Sequence, residues 1–335
     1  MIEFITHPVF LWILLSLAVS GLFVWMLSYF IASYFAYTLT LQRKTKEQWG
    51  SELPDDLSED SRKMYEMGAE WAQKNALFKK DLHIVHNGLN LYGEYYDLGY
   101  DKTVIILSGR TENRRYGYYF AIPYATYGCN VVVLDPRAHG ESDGEFNTVG
   151  FEESRDLIAW INHLRESCGV TNIVLHGICI GSAGGVLALT AKDRPSDIDA
   201  IVAEGMFARF SESVKNHLIE KKRPVFITLG LIDKWMIHYT GHSMKRGPIN
   251  VIDQMDTPLL MLHSKEDRYS TPEYAQKLFE LAKSPQKRLV WFEHGKHSML
   301  RITDTERYDR AIAEFLDQVY STNNFHTNKE EHYVL

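Results

Sequence analysis

One cysteine of this chain lies in a sequence context that suits nucleophilic chemistry. The segment Gly177-Ile178-Cys179-Ile180-Gly181 follows a short apolar run and precedes a stretch of small and then apolar residues. This pattern predicts a strand that turns sharply into a helix with Cys179 at the corner, a nucleophile elbow with cysteine where serine is usual. A glycine two residues to either side removes the collision that a Cβ would cause as the helix folds back.

The same corner favours a reactive sulfur. The positive end of a helix dipole and a neighbouring imidazole both favour the thiolate over the thiol. The alternative interpretation is a small buried core residue, which is the usual fate of a free cysteine. Ser182 is a second candidate nucleophile, but Ile180 stands where an elbow around Ser182 needs a glycine. The pattern therefore favours Cys179.

Composition limits the function classes. A chain of 335 residues has room for one large α/β domain and an appendage. Its net charge is −7 and we find no basic cluster apart from the flank of the N-terminal apolar segment, so nucleic acid is not an expected partner. The three cysteines form no C-x-x-C pair, which predicts reduced thiols. Neither zinc-ligand spacing nor a phosphate-cradling glycine loop is present, so we predict no metal and no cofactor.

Residues 8–42 contain no charged side chain, and Val9–Ala36 is almost entirely apolar. About 20 apolar residues cross a bilayer, so this run predicts one transmembrane helix within an anchor of residues 1–44. A cleaved signal peptide is disfavoured by the length of the run, the missing basic start and the aromatic residues near its end. A buried core helix of this length without charge is rarer, and two crossings do not fit. Basic residues at 43, 44 and 46 predict a single-pass protein of the cell membrane with a cytoplasmic catalytic domain.

The rest of the chain alternates strands and helices. After a linker and an amphipathic helix in residues 45–80, this alternation predicts a mainly parallel sheet covered by helices on both faces over residues 81–320. The strands are predicted at 82–86, 89–96, 103–107, 130–134, 173–175, 200–203, 259–263 and 288–292. Residues 206–250 interrupt the rhythm and predict a small helical cap rich in apolar residues. The last helix is expected near Asp304–Tyr320, followed by a polar tail over 321–335.

The partners of the cysteine are expected at the carboxyl ends of two later strands, because parallel strands bring those ends to one edge of a sheet. Asp267 follows the strand Leu259–His263, and His297 follows Arg288–Phe292. Two alternatives stay open. Glu204 follows the strand at 200–203 and is a second candidate acid, and His294 is a second candidate base.

These residues carry a resemblance to a known family. From about residue 80 to 320 the chain resembles the α/β-hydrolases, serine-aminopeptidase-like members in particular. The order Cys179, Asp267, His297 is that family's nucleophile–acid–base order. Further matching segments are Ser108–Thr111 after the third strand, Asp135–Ser142, which is similar to D-x-R-G-H-G-x-S, and His263–Asp267, which is similar to H-G-x-x-D. Two positions depart from the pattern, with Cys179 for serine and Ser108 for histidine.

The resemblance implies roles for these residues. Cys179 attacks a carbonyl to form a thioester acyl-enzyme, His297 takes the thiol proton and later activates water, and Asp267 fixes the histidine tautomer. The backbone N–H groups of Ile180 and Arg110 would hold the oxyanion. His139 and Arg137 are expected to organise their loop instead.

Three functions remain open at this point. The leading one is a membrane-anchored hydrolase of a small-molecule acyl ester or thioester, since dienelactone hydrolases carry a similar G-x-C-x-G elbow. Polyhydroxyalkanoate synthases also use cysteine in this box, which keeps acyl transfer open. The third is a catalytically silent, membrane-tethered interaction module, for which retention of acid, base and both glycines is unfavourable evidence. The sequence predicts neither the substrate nor the oligomeric state.

Overall fold

The architecture is an eight-stranded sheet with helices on both faces, seen in a computed structural model that describes residues 8–50 and 57–330. The strand order is β1-β2-β4-β3-β5-β6-β7-β8. Strand β2 runs opposite to the other seven, so its pairings with β1 and β4 are antiparallel and the remaining pairings are parallel. The strands are β1 Lys79–His86, β2 Leu89–Tyr96, β3 Lys102–Leu107, β4 Cys129–Leu134, β5 Asn172–Ile178, β6 Ile198–Glu204, β7 Leu259–Ser264 and β8 Lys287–Phe292. The predicted α/β class and mainly parallel sheet are confirmed.

Helices flank the sheet, and the last of them extends past its predicted end. They are α1 Pro8–Leu41, α2 Glu59–Lys74, α3 Arg114–Tyr127, α4 Phe151–Cys168, α5 Ile180–Leu189, α6 Phe210–Glu220, α7 Val225–Thr240, α8 Pro272–Leu281, α9 Leu300–Thr303 and α10 Thr305–Glu330. Helix α10 continues past the predicted end at Tyr320, through the first part of the predicted tail. Residues 331–335, the end of that tail, and residues 1–7 of the predicted anchor lie outside the described residues.

Central strands are apolar on both faces because helices cover both faces. Val104, Ile105 and Ile106 of β3 are all fully buried. Helices α4, α5 and α8 pack against one face, and α3 and α10 pack against the other. This two-sided burial is why the strands read as continuous apolar runs instead of alternating ones.

Helix α1 is long and apolar, and its side chains are largely exposed. Its 34 residues correspond to about 51 Å, against about 30 Å for the hydrocarbon core of a bilayer. Within the part of the chain that the structure describes, it is the one helix long and apolar enough to cross a membrane. The exposed side chains run from Val9 to Leu39, whereas Ser33, Tyr37, Thr38 and Leu41 are buried against the rest of the protein.

The end of α1 is held on the catalytic domain by backbone hydrogen bonds. The Leu41 carbonyl accepts from the Asn147 N–H at 2.8 Å, and the Arg43 N–H donates to Glu145 at 2.7 Å. The Arg43 guanidinium adds hydrogen bonds to the carbonyls of Gly140 and Ser142. The apolar helix therefore has a fixed position relative to the sheet.

Candidate active site

Cys179 occupies the sharp turn between β5 and α5. Its backbone has φ 53° and ψ −107°, in the region of positive φ that non-glycine residues rarely adopt. The Cys179 N–H donates to the Glu204 carbonyl on the neighbouring strand at 2.9 Å, and the Cys179 carbonyl accepts from the Ala183 N–H. The side chain is half-buried and lines a cavity. Strain of this kind persists where the surroundings over-determine it and is typical of functional turns.

The two glycines of the elbow are sterically required. A Cβ on Gly177 would lie 2.4 Å from the Ser182 backbone nitrogen, and a Cβ on Gly181 would lie 2.0 Å from the Leu107 carbonyl oxygen. Both contacts are with backbone atoms that no rotamer change moves. The helix can fold back on the strand because neither position carries a side chain.

Asp267 and His297 meet in loops that follow β7 and β8. The Asp267 Oδ2 lies 2.7 Å from the His297 Nδ1. The other oxygen, Oδ1, accepts from the backbone N–H groups of Tyr269 and Ser270 at 2.8 and 2.9 Å, which fixes the carboxylate. On its other side the imidazole interacts with the Cys179 side chain, and both residues line the same cavity. The structure thus places the three predicted residues in one chain of contacts.

The electrostatics of this chain favour a protonated imidazole. Burial alone lowers the pKa of His297, but the charge of the Cys179 sulfur and the hydrogen bond to Asp267 outweigh burial and raise that pKa well above its usual value. Burial raises the pKa of Asp267, but the hydrogen bond and charge of His297, the charge of His263 and the Ser270 N–H together outweigh burial and lower that pKa below its usual value. The groups on both sides of the ring therefore favour the protonated imidazole.

The side chains of the competing candidates, Glu204, His294 and Ser182, are engaged in other contacts. Glu204 is fully buried and accepts from the Tyr308 hydroxyl at 2.6 Å and the Leu300 N–H at 3.2 Å. Burial raises the pKa of Glu204 to about 7. His294 is exposed and pairs with Glu266. The Ser182 hydroxyl is buried in the first turn of α5 and donates to the Gly177 carbonyl at 2.6 Å.

Asp267→Asn and Glu204→Gln form a matched test of the acid. We expect Asp267→Asn to lower kcat/KM by about 100- to 10,000-fold, because the amide cannot hold the imidazolium in its orientation. The variant also loses the charge that raises the pKa of His297, so the alkaline limb of the pH–rate profile should move to lower pH. Glu204→Gln should cost less than about tenfold, since a positioning contact is removed and no reacting atom is touched. The reverse ranking would make Glu204 the acid.

The loop after β3 carries the second predicted oxyanion donor. Arg110 lies in this loop, and its carbonyl accepts from the His139 Nε2 at 2.5 Å. Glu112 accepts from the Gly109 N–H at 2.9 Å, and burial raises the pKa of Glu112 to about 7. Arg137 forms a two-pronged pair with Asp156 and, like His139, organises its loop.

The Arg110 side chain joins the loop after β3 to helix α1. Its Nη1 donates to the Thr40 carbonyl in the last turn of α1 at 3.0 Å. A cation at a helix C-terminus satisfies a free carbonyl and opposes the helix dipole. The role predicted for Arg110 concerned its backbone N–H only. A lone arginine in a loop carries no sequence signal for a contact with the end of a helix.

A cavity of about 330 Å³ lies between the elbow, the cap and α1. Its lining includes Cys179, His297, Arg110 and Glu112 from the catalytic loops. The cap and α1 contribute Phe210, Ser213, Val214, His217, Leu218, Ile232, Ala36, Thr40 and Leu41, of which only Ser213, His217 and Thr40 are polar. A second cavity of about 50 Å³ on the far side of the oxyanion loop contains neither Cys179 nor His297. Within the described ranges, no group of three or more acidic, histidine or cysteine side chains is arranged to hold a metal ion.

Two family profiles match successive parts of the chain. The α/β hydrolase fold profile matches residues 102–226, and the serine aminopeptidase (S33) profile matches residues 249–305. The first segment contains the elbow and the oxyanion loop, and the second contains Asp267 and His297. The chain belongs to the α/β-hydrolase superfamily. The resemblance inferred from the motifs is therefore confirmed at the level of the superfamily.

Individual α/β-hydrolases and relatives are similar to this one over most of its catalytic domain. The Bacillus subtilis protein YqkD is 29% identical over 220 residues, which is 65% of this chain and 72% of that protein. The Saccharomyces cerevisiae membrane protein YNL320W is 27% identical over 220 residues, 64% of this chain and 70% of that protein. An esterase of Pyrococcus furiosus has the same fold, with a TM-score of 0.62 at 21% identity over 80% of this chain and 97% of that chain.

Proposed function

We propose that this protein is a membrane-anchored hydrolase that cleaves a carboxylic ester or thioester through Cys179, His297 and Asp267. The observation that carries the proposal is the position of His297, which contacts Asp267 on one side and Cys179 on the other, at the wall of a cavity large enough for an acyl group. A structural cysteine has no need of an imidazole and a buried carboxylate in this order.

The acylation step follows from these contacts. His297 takes the proton of the Cys179 thiol as the sulfur attacks the substrate carbonyl carbon, and the carbonyl oxygen becomes an oxyanion held by the N–H groups of Ile180 and Arg110. When the tetrahedral intermediate collapses, the bond to the leaving group breaks and His297 donates a proton to that group. The acyl group remains on Cys179 as a thioester.

Deacylation reverses the proton transfers with water as the nucleophile. The neutral imidazole of His297 takes a proton from water, whose oxygen attacks the thioester carbonyl. The carbon–sulfur bond then breaks, the carboxylic acid leaves and the Cys179–His297 pair is restored. Asp267 holds the ring in one orientation through both half-reactions, since its second oxygen is tied to two backbone N–H groups.

Helix α1 supports membrane anchoring in this proposal. It is apolar, long enough to span with tilt, and exposed over most of its length. The basic residues at 43, 44 and 46 support a single-pass arrangement with the catalytic domain on the cytoplasmic side of the cell membrane. A reducing compartment suits an unpaired nucleophilic thiol.

Hydrolysis is tested by the fate of the acyl group in ¹⁸O-labelled water. The full chain in detergent or bilayers is required, because residues of α1 line the cavity. With p-nitrophenyl esters and acyl-coenzyme A thioesters as substrates, we expect one ¹⁸O atom in each released carboxylic acid. Acyl transfer to an added alcohol or lysolipid without labelled acid would instead identify an acyltransferase. Release of no acid and acylation of no acceptor would identify a silent module.

A further inference from the structure

The cap presents an exposed apolar and basic surface at the turn between α6 and α7. This cap tip is defined here as residues 219–227. Phe226 is 93% exposed and Ile219 is 55% exposed, so two large apolar side chains of the tip face solvent. Between them Lys221, Lys222 and Arg223 are consecutive and exposed. This run was not predicted from the sequence, where the flank of the N-terminal apolar segment was the only basic cluster expected in a negatively charged chain.

The cap tip lies on the membrane side of the protein. Trp235 of α7 packs against Phe30 and Tyr34 of α1, with ring centroids 4.8 and 5.2 Å apart, and its indole N–H donates to the Ser33 hydroxyl. One turn later Tyr239 stacks on Tyr37. Both helices therefore run in the same direction, and the start of α7 points back along α1 toward the bilayer.

The register gives the depth of the tip. Phe226 precedes Trp235 by nine residues, which is about 14 Å along the helix axis. This places Phe226 beside the part of α1 that precedes Phe30, where the helix is apolar and exposed. Apolar residues flanked by lysine and arginine are the composition of segments that insert at an anionic bilayer surface.

The inner faces of the same two helices form the wall of the catalytic cavity. Val214 and Leu218 of α6 and Ile232 of α7 line it, together with Ala36 and Thr40 of α1. One side of the cap thus faces Cys179, and its tip faces the membrane. The cavity wall is continuous with the elements that would contact lipid.

We propose that the cap tip docks into the anionic leaflet around α1 and that the catalytic cavity takes its substrate from this leaflet, as a lipid ester with a long acyl chain. The docking part stands on the exposed tip and its register with α1. The substrate part rests on the proposed hydrolase function. A lipid acyl chain needs an apolar path from the bilayer to the sulfur. The apolar residues of the wall that α1, α6 and α7 share form this path.

Docking is tested without catalysis. An environment-sensitive fluorophore is attached at Phe226→Cys in the full chain carrying Cys168→Ser and Cys179→Ser, while Cys129 is buried and stays. Leu77→Cys is the matched control, since Leu77 is 95% exposed just before β1. In bilayers containing phosphatidylglycerol and nitroxide-labelled lipid, we expect quenching at 226 at least about twofold greater than at 77, and less quenching without phosphatidylglycerol. Equal quenching at the two sites would overturn the proposal.

The lipid route is tested with two fluorogenic esters, 4-methylumbelliferyl oleate in vesicles and soluble 4-methylumbelliferyl acetate. Phe226 does not line the cavity, so Phe226→Asp should lower turnover of the oleate about tenfold and leave the acetate unchanged, while Phe226→Leu restores the oleate rate. An equal effect on both esters, or none on either, would contradict the lipid route. Hydrolysis of neither ester by the unaltered chain would instead count against the proposed function and leave the docking result standing.

Discussion

Cys179→Ala should lower kcat/KM for ester and thioester hydrolysis by about 10,000-fold or more, because the sulfur is the atom that forms the covalent intermediate. The sulfur stands at the strained corner of the elbow and is the atom that the His297 imidazole contacts. Alanine fits the same backbone, so the variant should unfold at a temperature close to that of the unaltered protein. Steady-state kinetics in bilayers, together with thermal unfolding, measure both effects.

Two variants make this result specific to the sulfur. Cys179→Ser keeps a nucleophile at the corner, so we expect it to retain more ester hydrolysis than alanine. Ser182→Ala removes the alternative hydroxyl, which donates to the Gly177 and Glu204 carbonyls, and should leave turnover within about tenfold while destabilising the fold by about 1 kcal/mol. If Ser182→Ala lost all turnover while Cys179→Ala kept it, the nucleophile would be Ser182 and not Cys179.

Gly181→Ala should destabilise the protein by about 3 kcal/mol or more and abolish activity, because its Cβ would lie 2.0 Å from the Leu107 carbonyl oxygen of β3. Relief of that clash requires α5 to move away from the strand, and the Cys179 corner moves with the helix. Chemical denaturation in detergent measures the stability, and thiol labelling of Cys179 measures the local geometry.

Gly184→Ala is the matched control on the same helix. There the added Cβ would meet the Gly150 Cα at 3.7 Å, which is ordinary van der Waals contact. Alanine also has the better helix propensity, by about 1 kcal/mol, so this variant should be neutral or stabilising. If both substitutions had the same effect, the close approach at Gly181 would not be the reason for its glycine.

Much of the fold and the grouping of the site residues follow from the sequence by simple geometry. Cys179, Asp267 and His297 are far apart in the chain, but each follows a strand of one parallel sheet, so all three come to the same edge. The choice of Asp267 over Glu204 needed the structure. Asp267 and Glu204 follow neighbouring strands, and in the structure the Glu204 carboxylate accepts from Tyr308 and Leu300.

The contacts of helix α1 could not be predicted from sequence patterns. Helix α1 is apolar on every side, so periodicity gives no face that would pack on the catalytic domain. In the structure its buried side is marked by Ser33, Tyr37 and Thr38 instead. Met67 is the opposite case: its helical spacing from Met64 and Trp71 indicates a packing stripe, yet its side chain is 41% exposed. Spacing alone does not reveal how far a neighbouring element reaches.

The most direct test of the central claim is the mass of the acyl-enzyme. The full chain is mixed with a p-nitrophenyl ester, quenched in acid during turnover and digested, and the peptide that contains Cys179 is analysed by mass spectrometry. This account predicts the added mass of the acyl group on Cys179, removable by neutral hydroxylamine as expected for a thioester. An acyl group on another residue, or steady turnover with an unmodified Cys179 in every quenched sample, would contradict it.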